Sequence, residues 1–233
     1  MLEEQYREIR ERVDAACLRA GRKPEEVTLI AVSKTKPAEM IQQVYHAGAR
    51  DFGENRVQEL LEKEPLLPGD IRWHMIGHLQ TNKVRQIVGK VCLIHSVDTL
   101  HLAEEIQKES EKRGICTDIL LEVNAAREES KYGFFLEEAE EAAVRIGQMP
   151  NIRIRGLMTI APLVRCGEEN REVFRNLYKL YVDMKTKNID NGTMTELSMG
   201  MTGDFETAVE EGATMVRVGT GIFGARQKRE IGK

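Results

Sequence analysis

The chain has 233 residues, 41% of them hydrophobic, which is enough for a substantial core. Its 34 Lys and Arg stand against 38 Asp and Glu, a net charge of -4 with no long block of one sign, so a general nucleic-acid footprint is not expected. No apolar run reaches the length of a membrane span, the charged opening MLEEQYREIRERVDAACLRAG has no signal-peptide core, and Cys17, Cys92, Cys116 and Cys166 form no CxxC, so the cytoplasm is the expected compartment.

The first element is a helix that places Leu2, Tyr6, Ile9, Val13, Cys17 and Ala20 on one stripe. From there the pattern is strand, loop, helix, repeated. Short β-branched or apolar runs read as strands: 27–33, 50–52, 71–77, 90–97, 117–124, 152–160, 195–200 and 215–223. Pro37, just after the first of them, suits a helix start, and Gly48, Gly114 and Gly212 each follow a helical pattern as C-terminal caps do. Segment 136–147 buries Leu136, Ala139, Ala143 and Ile146; segment 168–187 buries Val173, Leu177, Leu180, Tyr181 and Met184. The short basic tail, Arg226, Lys228, Arg229 and Lys233, reads as a solvated end.

Strict alternation implies a parallel sheet, and near-continuous apolar strands imply one covered on both faces. Eight strands in this length favour closure. The expected fold is α/β, a single (β/α)8 TIM barrel over residues 1–233, with the extra N-terminal helix in the slot after the eighth strand.

In such barrels chemistry sits at the C-terminal ends of the strands. The first strand ends in Ser33-Lys34-Thr35-Lys36. A lysine at a buried mouth loses solvation, which lowers its pKa and frees the amine as a nucleophile, although a lysine that merely snorkels from the strand end has the same sequence. Lys36, two positions on, points to the same side if the chain stays extended. The run RVGTGIFG (217–224) offers backbone N–H groups to a phosphate, next to Ser198 on strand seven; tight turns would explain the same glycines. Arg217, inside an apolar strand, reads either as an ion pair with Glu122 or Asp204 or as a donor to a ring nitrogen. His74 and His78 lack a third metal ligand, Glu54 and Glu122 form no demanded acid/base pair, and Met199 with Met201 reads first as packing.

Taken together, AVSKTKP (31–37), FGENRVQE (52–59), WHMIGHLQTNK (73–83), ESKYGF (129–134), GLMTI (156–160), LSMGMTGDFETAV (197–209) and VRVGTGIFGAR (216–226) resemble the YggS/PROSC family of pyridoxal 5'-phosphate (PLP)-binding homeostasis proteins. The resemblance implies a barrel similar to the N-terminal domain of alanine racemase, with PLP as a Schiff base on Lys34. By motif position it places Ser198, Gly219 and Thr220 at the phosphate, Arg217 at the pyridine nitrogen, and Asn55, Met158 and Met199 near the ring. Lys131 matches an auxiliary lysine. Thr202 and Gly221 stand where serine and alanine are common in that family.

The implied function is a cytoplasmic PLP carrier and buffer, with no strong catalysis of its own, that supplies PLP-requiring apo-enzymes. Arginine at the ring nitrogen fits this, because it keeps that nitrogen unprotonated and blunts the ring as an electron sink. The alternative is a racemase-like enzyme. The sequence runs nine residues past Gly224, so the β domain that supplies a second base in alanine racemases is not expected. A PLP-free Schiff-base lyase is a further option. The helices show no spare apolar face, so a monomer is expected, without a metal, membrane or nucleic-acid partner.

Overall fold

The computed structural model describes residues 1–128, 131–187 and 189–225. The basic tail residues Arg226, Lys228, Arg229 and Lys233 lie outside the described residues, as do Glu129 and Ser130 of the ESKYGF motif. In chain order the elements are α1 (Leu2–Arg19), β1 (Thr28–Val32), α2 (Ala38–His46), β2 (Asp51–Glu54), α3 (Val57–Lys63), β3 (Arg72–Met75), α4 (Val84–Ile87), β4 (Leu93–Val97), α5 (Leu100–Arg113), β5 (Thr117–Glu122), α6 (Ala139–Gly147), β6 (Ile152–Met158), α7 (Arg171–Lys185), β7 (Gly192–Ser198), α8 (Phe205–Glu210), β8 (Met215–Val218) and α9 (Thr220–Phe223). The strands close in sequence order into a parallel barrel, with β1 hydrogen-bonded to both β2 and β8.

Local chemistry sets the helix ends. In α5 the Thr99 hydroxyl accepts the Leu102 N–H at 3.2 Å, a cap worth about 1 kcal/mol, and Gly114 closes the helix in the left-handed region at φ 63°. Tyr6, Ile9, Val13, Ala16 and Cys17 of α1 are buried. This helix packs on α8 and α9, so it does fill the slot after the last strand. Arg12 and Arg19 pair with Glu206 and Glu210 of α8 along that contact.

Strand alternation sorts side chains into two populations. Outward residues such as Leu29, Ala31, Phe52, Trp73, Ile94, Leu121 and Val216 build the main core between sheet and helices. Inside the barrel the apolar filling is small: Ile30, Leu93, Leu120, Met158 and Met215. Barrel interiors are ordinarily filled by branched aliphatic side chains. This one also carries Asp51, His74, His95, Glu122, Ser198 and Arg217, all buried.

Two sequence expectations need correction. The apolar run 215–223 is not one strand. It ends as a strand at Val218, and residues 220–223 turn into α9 with Gly219 at the N-cap, an ambiguity that a short apolar run carries in its hydropathy. The chain after β1 is also not extended. Ser33–Lys36 form a turn closed by the Lys36 N–H on the Ser33 carbonyl at 3.0 Å, with Thr35 at φ 63°. Lys36 is therefore directed to α9, where its ammonium donates to the carbonyls of Phe223, Gly224 and Ala225 at 2.8, 3.2 and 3.2 Å, instead of standing beside Lys34.

Candidate functional site

Alternation along β1 places Ile30 and Val32 inside the barrel and Ser33 outside, and Lys34 follows in the turn at the C-terminal mouth. Lys34 is half-buried. The turn that presents it is over-determined. Thr35 is a β-branched residue in the left-handed region, a conformation costing of order 1–3 kcal/mol. Its N–H donates to the Glu59 carboxylate at 2.6 Å. Lys63 donates to the Ser33 carbonyl at 3.0 Å, to Glu54 at 2.8 Å and to Glu59 at 3.2 Å, and the Ser33 hydroxyl donates to Glu54 at 2.7 Å. Glu54 is fully buried and its Oε2 has no partner. Burial raises its pKa, against the opposing pull of Lys63 and Ser33.

Asn55 follows β2, and its Oδ1 is buried with no partner. Gly77, after β3, lets the two loops touch, since a Cβ there would lie 2.5 Å from the Asn55 carbonyl oxygen. The Asn55 acceptor is left buried with its hydrogen-bonding capacity unused, a state that buried polar groups seldom keep without a ligand or water.

Arg217 on β8 is buried inside the barrel. It donates to the Ser198 hydroxyl at 2.5 Å and to the Thr159 carbonyl at 2.7 Å. Among the described residues no carboxylate lies within ion-pair distance of it. Glu122 and Asp204 act on it only at longer range, so the expected alternative of an ion pair is not what holds this arginine. Burial draws its pKa down to about 10, which still leaves it a cation at neutral pH. Glu122, inward at the end of β5, is pushed to about 7 by burial and by Asp98, with Arg217 opposing.

The loops after β7 and β8 meet beside this mouth. Gly219 caps α9, and the Gly221 N–H donates to the Thr202 hydroxyl at 3.3 Å, so Thr202 and the Gly219-Thr220-Gly221 backbone face one another. Ser198 lies elsewhere. It is fully buried and its hydroxyl is engaged by Arg217 and His95. Met158 is inside the barrel with the small apolar cluster, whereas Met199, one position past an inward residue, packs in the outer core. On the far rim His78 pairs with Asp98 at 2.8 Å and stacks on Tyr132 at 3.9 Å, so it does not form a pair with the inward His74. Lys131 donates to Glu128 at 2.7 Å and lines, with Glu122, Asn124, Tyr132 and Ile160, a cavity of about 250 Å³.

Lys34, Asn55, Arg217, Gly219 and Thr220 are therefore gathered at one barrel end, with Ser198 beneath them and Met199 turned away. Sequence reasoning did not single out Glu59, Lys63, Asp51 or His95. Their partners are distant in the chain, and only the inward parity of Asp51, His74 and His95 on neighbouring strands could have signalled them.

The alanine racemase N-terminal domain family matches residues 5–227. A pyridoxal phosphate homeostasis protein of Aquifex aeolicus is 46% identical over 96% of this chain and 98% of its own, and one of Escherichia coli is 39% identical over 94% of each. Among solved structures, PipY of Synechococcus elongatus with PLP bound superposes with a TM-score of 0.81 at 36% identity, covering 96% of this chain and all of that one. An alanine racemase of Corynebacterium glutamicum, 14% identical with a TM-score of 0.71, shares the fold; this chain spans 63% of it. The chain belongs to the alanine racemase N-terminal domain family, and within it to the pyridoxal phosphate homeostasis proteins.

Proposed function

We propose that this protein binds pyridoxal 5'-phosphate covalently through Lys34 and serves as an intracellular carrier and buffer of it, yielding it to PLP-requiring apo-enzymes. One observation carries the reading: a buried guanidinium without an ion-pair partner among the described residues, Arg217, shares a barrel mouth with Lys34 and with the unpartnered acceptor of Asn55. The fit is chemical as well as spatial. Lys34 supplies the amine, Arg217 a permanent donor for the ring nitrogen, and Asn55 Oδ1 an acceptor for the ring's hydroxyl edge. The Gly219-Thr220 backbone suits the phosphate, with the Thr202 hydroxyl, which accepts the Gly221 N–H and keeps its own proton to donate, in place of the buried Ser198. Bound PLP supplies an electrophilic carbonyl carbon and an electron-withdrawing ring; a guanidinium that cannot surrender its proton weakens the second property, which favours storage over turnover.

The closely similar PipY structure carries PLP, and the curated relatives are named for its homeostasis. Cys17, Cys92, Cys116 and Cys166 are all free, which suits a reducing cytoplasm, and no helix among the described residues is long and apolar enough to cross a membrane. Of the exposed large apolar side chains, Leu18, Leu66, Val144 and Leu163 lie on different segments and the rest beyond Met1 form small groups, Tyr132 with Phe135 and Tyr178 with Val182 on α7, a dispersal that supports a monomer. The decisive experiment is hydride reduction of the PLP-loaded protein followed by peptide mass spectrometry. The adduct is expected on Lys34 and is lost in Lys34→Ala. An adduct on another lysine, or none, would refute the assignment.

A weak proton-exchange activity is the second reading, favoured by Glu122, an acid at this mouth that titrates near neutrality. Incubation with L-alanine in deuterated water separates the two. Fast α-deuteration with racemisation supports an enzyme, and PLP transfer without it supports the carrier.

A further inference from the structure

Below the mouth, a single file of buried side chains crosses the barrel from one end to the other. Arg217 Nη1 donates to Ser198 Oγ at 2.5 Å, Ser198 Oγ meets His95 Nδ1 at 3.0 Å, His95 Nε2 meets His74 Nδ1 at 3.0 Å, and His74 Nε2 meets Asp51 Oδ1 at 3.0 Å. The five residues come from β8, β7, β4, β3 and β2, and none is more than 8% exposed. Asp51 is the first residue of its strand, and it lines, with Arg72, His74 and Cys92, a cavity of about 210 Å³ at the opposite, N-terminal end of the barrel.

The ends of this file fix its direction. A guanidinium only donates and a carboxylate only accepts. Asp51 is held ionised: burial opposes its charge, but the hydrogen bonds from His74 and Arg72 prevail and lower its pKa. With His74 donating from Nε2 to Asp51, its Nδ1 accepts from His95 Nε2–H, and His95 Nδ1 accepts the Ser198 hydroxyl proton. That leaves the Ser198 oxygen to receive Arg217. Every group is satisfied in this one arrangement with both imidazoles neutral. Burial, then the neighbouring His74 and Arg217, depress the His95 pKa far below its ordinary value, in keeping with a neutral ring. In the reverse arrangement His95 would donate to Ser198, whose own proton would then find no acceptor among the described residues, a costly state inside a barrel.

We propose that His95 and His74 are positioning residues for the cofactor's ring nitrogen: through Ser198 they hold the Arg217 guanidinium in one orientation and tie it to the Asp51 carboxylate at the far end of the barrel. Neither histidine touches the mouth. The proposal rests on the reading that Arg217 faces the PLP ring nitrogen, and it adds the source of that arginine's fixed geometry.

The test uses the full chain loaded with PLP labelled with ¹⁵N in the ring. In His95→Leu, the ring ¹⁵N resonance and the visible absorption maximum shift from wild type, and the PLP dissociation constant rises roughly tenfold, about one hydrogen bond to a charged group. His95→Asn, whose Oδ1 can stand where Nδ1 stood and accept from Ser198, restores all three most of the way. Loss of thermal stability in His95→Leu with an unchanged ring resonance would mean that His95 is merely structural, and overturns the proposal. If His95→Leu fails to fold, imidazole ¹⁵N spectra of the wild-type protein without PLP decide: the only proton of His95 and of His74 is expected on Nε2, and a proton on His95 Nδ1 overturns the proposal. Failure of wild-type protein to form an adduct at Lys34 refutes the parent reading instead, and the tautomers, measured without cofactor, still decide the relay.

Discussion

Glu122→Gln should stabilise the PLP-free protein, and by an amount that depends on pH. The Glu122 side chain is buried at the end of β5, and burial together with Asp98 raises its pKa from 4.5 to about 7. In the unfolded chain the same carboxyl releases its proton near 4.5. Between these values the folded protein binds the extra proton, so folding stability falls as pH rises. The stability is fully present below 4.5, is lost progressively up to about 7, and is gone above it. The interval, at about 1.36 kcal/mol per pH unit, amounts to about 3 kcal/mol. Glutamine has no proton to lose and nearly the same shape. Urea unfolding followed by circular dichroism should show the variant gaining on wild type by an increment that grows from pH 5 to pH 7 and then levels at about 3 kcal/mol. A difference that stays flat from pH 5 to pH 8 would mean that Glu122 ionises like an exposed carboxyl, contrary to its burial beside Asp98. It would also remove the observation behind a proton-exchange activity.

Lys63→Met leaves the fully buried Glu54 without its ammonium partner and should cost about 3–5 kcal/mol in urea unfolding, less at pH 5 than at pH 8 because Glu54 can then take up a proton; equal losses at both pH values would contradict this. Gly156→Ala should destabilise by more than about 4 kcal/mol, since its Cβ would sit 1.7 Å from the Glu196 carbonyl oxygen and force β6 from β7; a wild-type Tm would show that the strands can part. Thr202→Val should weaken PLP binding roughly tenfold in a fluorescence titration and leave pyridoxal binding unchanged, whereas Ser198→Ala should weaken both, because Thr202 faces the α9 backbone and Ser198 holds Arg217. Equal losses for both ligands in Thr202→Val would exclude it from the phosphate corner.

Most of the architecture was readable because most strands announced themselves by an apolar, β-branched run, DFGE of β2 and RWHM of β3 excepted, and the longer helices by a stripe, and the glycines at 48, 114 and 212 adopt the positive φ that a helix terminus asks of them. What was hidden depends on parity and on distance. Ser198 and Met199 are adjacent in a strand end, so they face opposite ways, and a motif that assigns Ser198 to the phosphate and Met199 to the ring does not carry that parity. Lys36 was misplaced because nothing in SKTK announces a left-handed threonine, which only the Glu59 carboxylate and the Lys63 ammonium make tenable. His95 sits in LIHSV, a run that reads as plain core, and the hydrogen-bonded file it belongs to runs through residues of four other strands.

The proposed cofactor site lies across the seam where the barrel's first strand meets its last: Lys34 follows β1, Arg217 belongs to β8, and Lys36 fastens the two through the Phe223 carbonyl, 187 positions away. On the proposed assignment, the Lys34 amine emerges early from the ribosome and waits for nearly all the remaining chain before Arg217 and the Gly219-Thr220-Gly221 loop exist. A nascent chain could then not enclose the cofactor, so loading by the proposed route follows closure of the finished barrel.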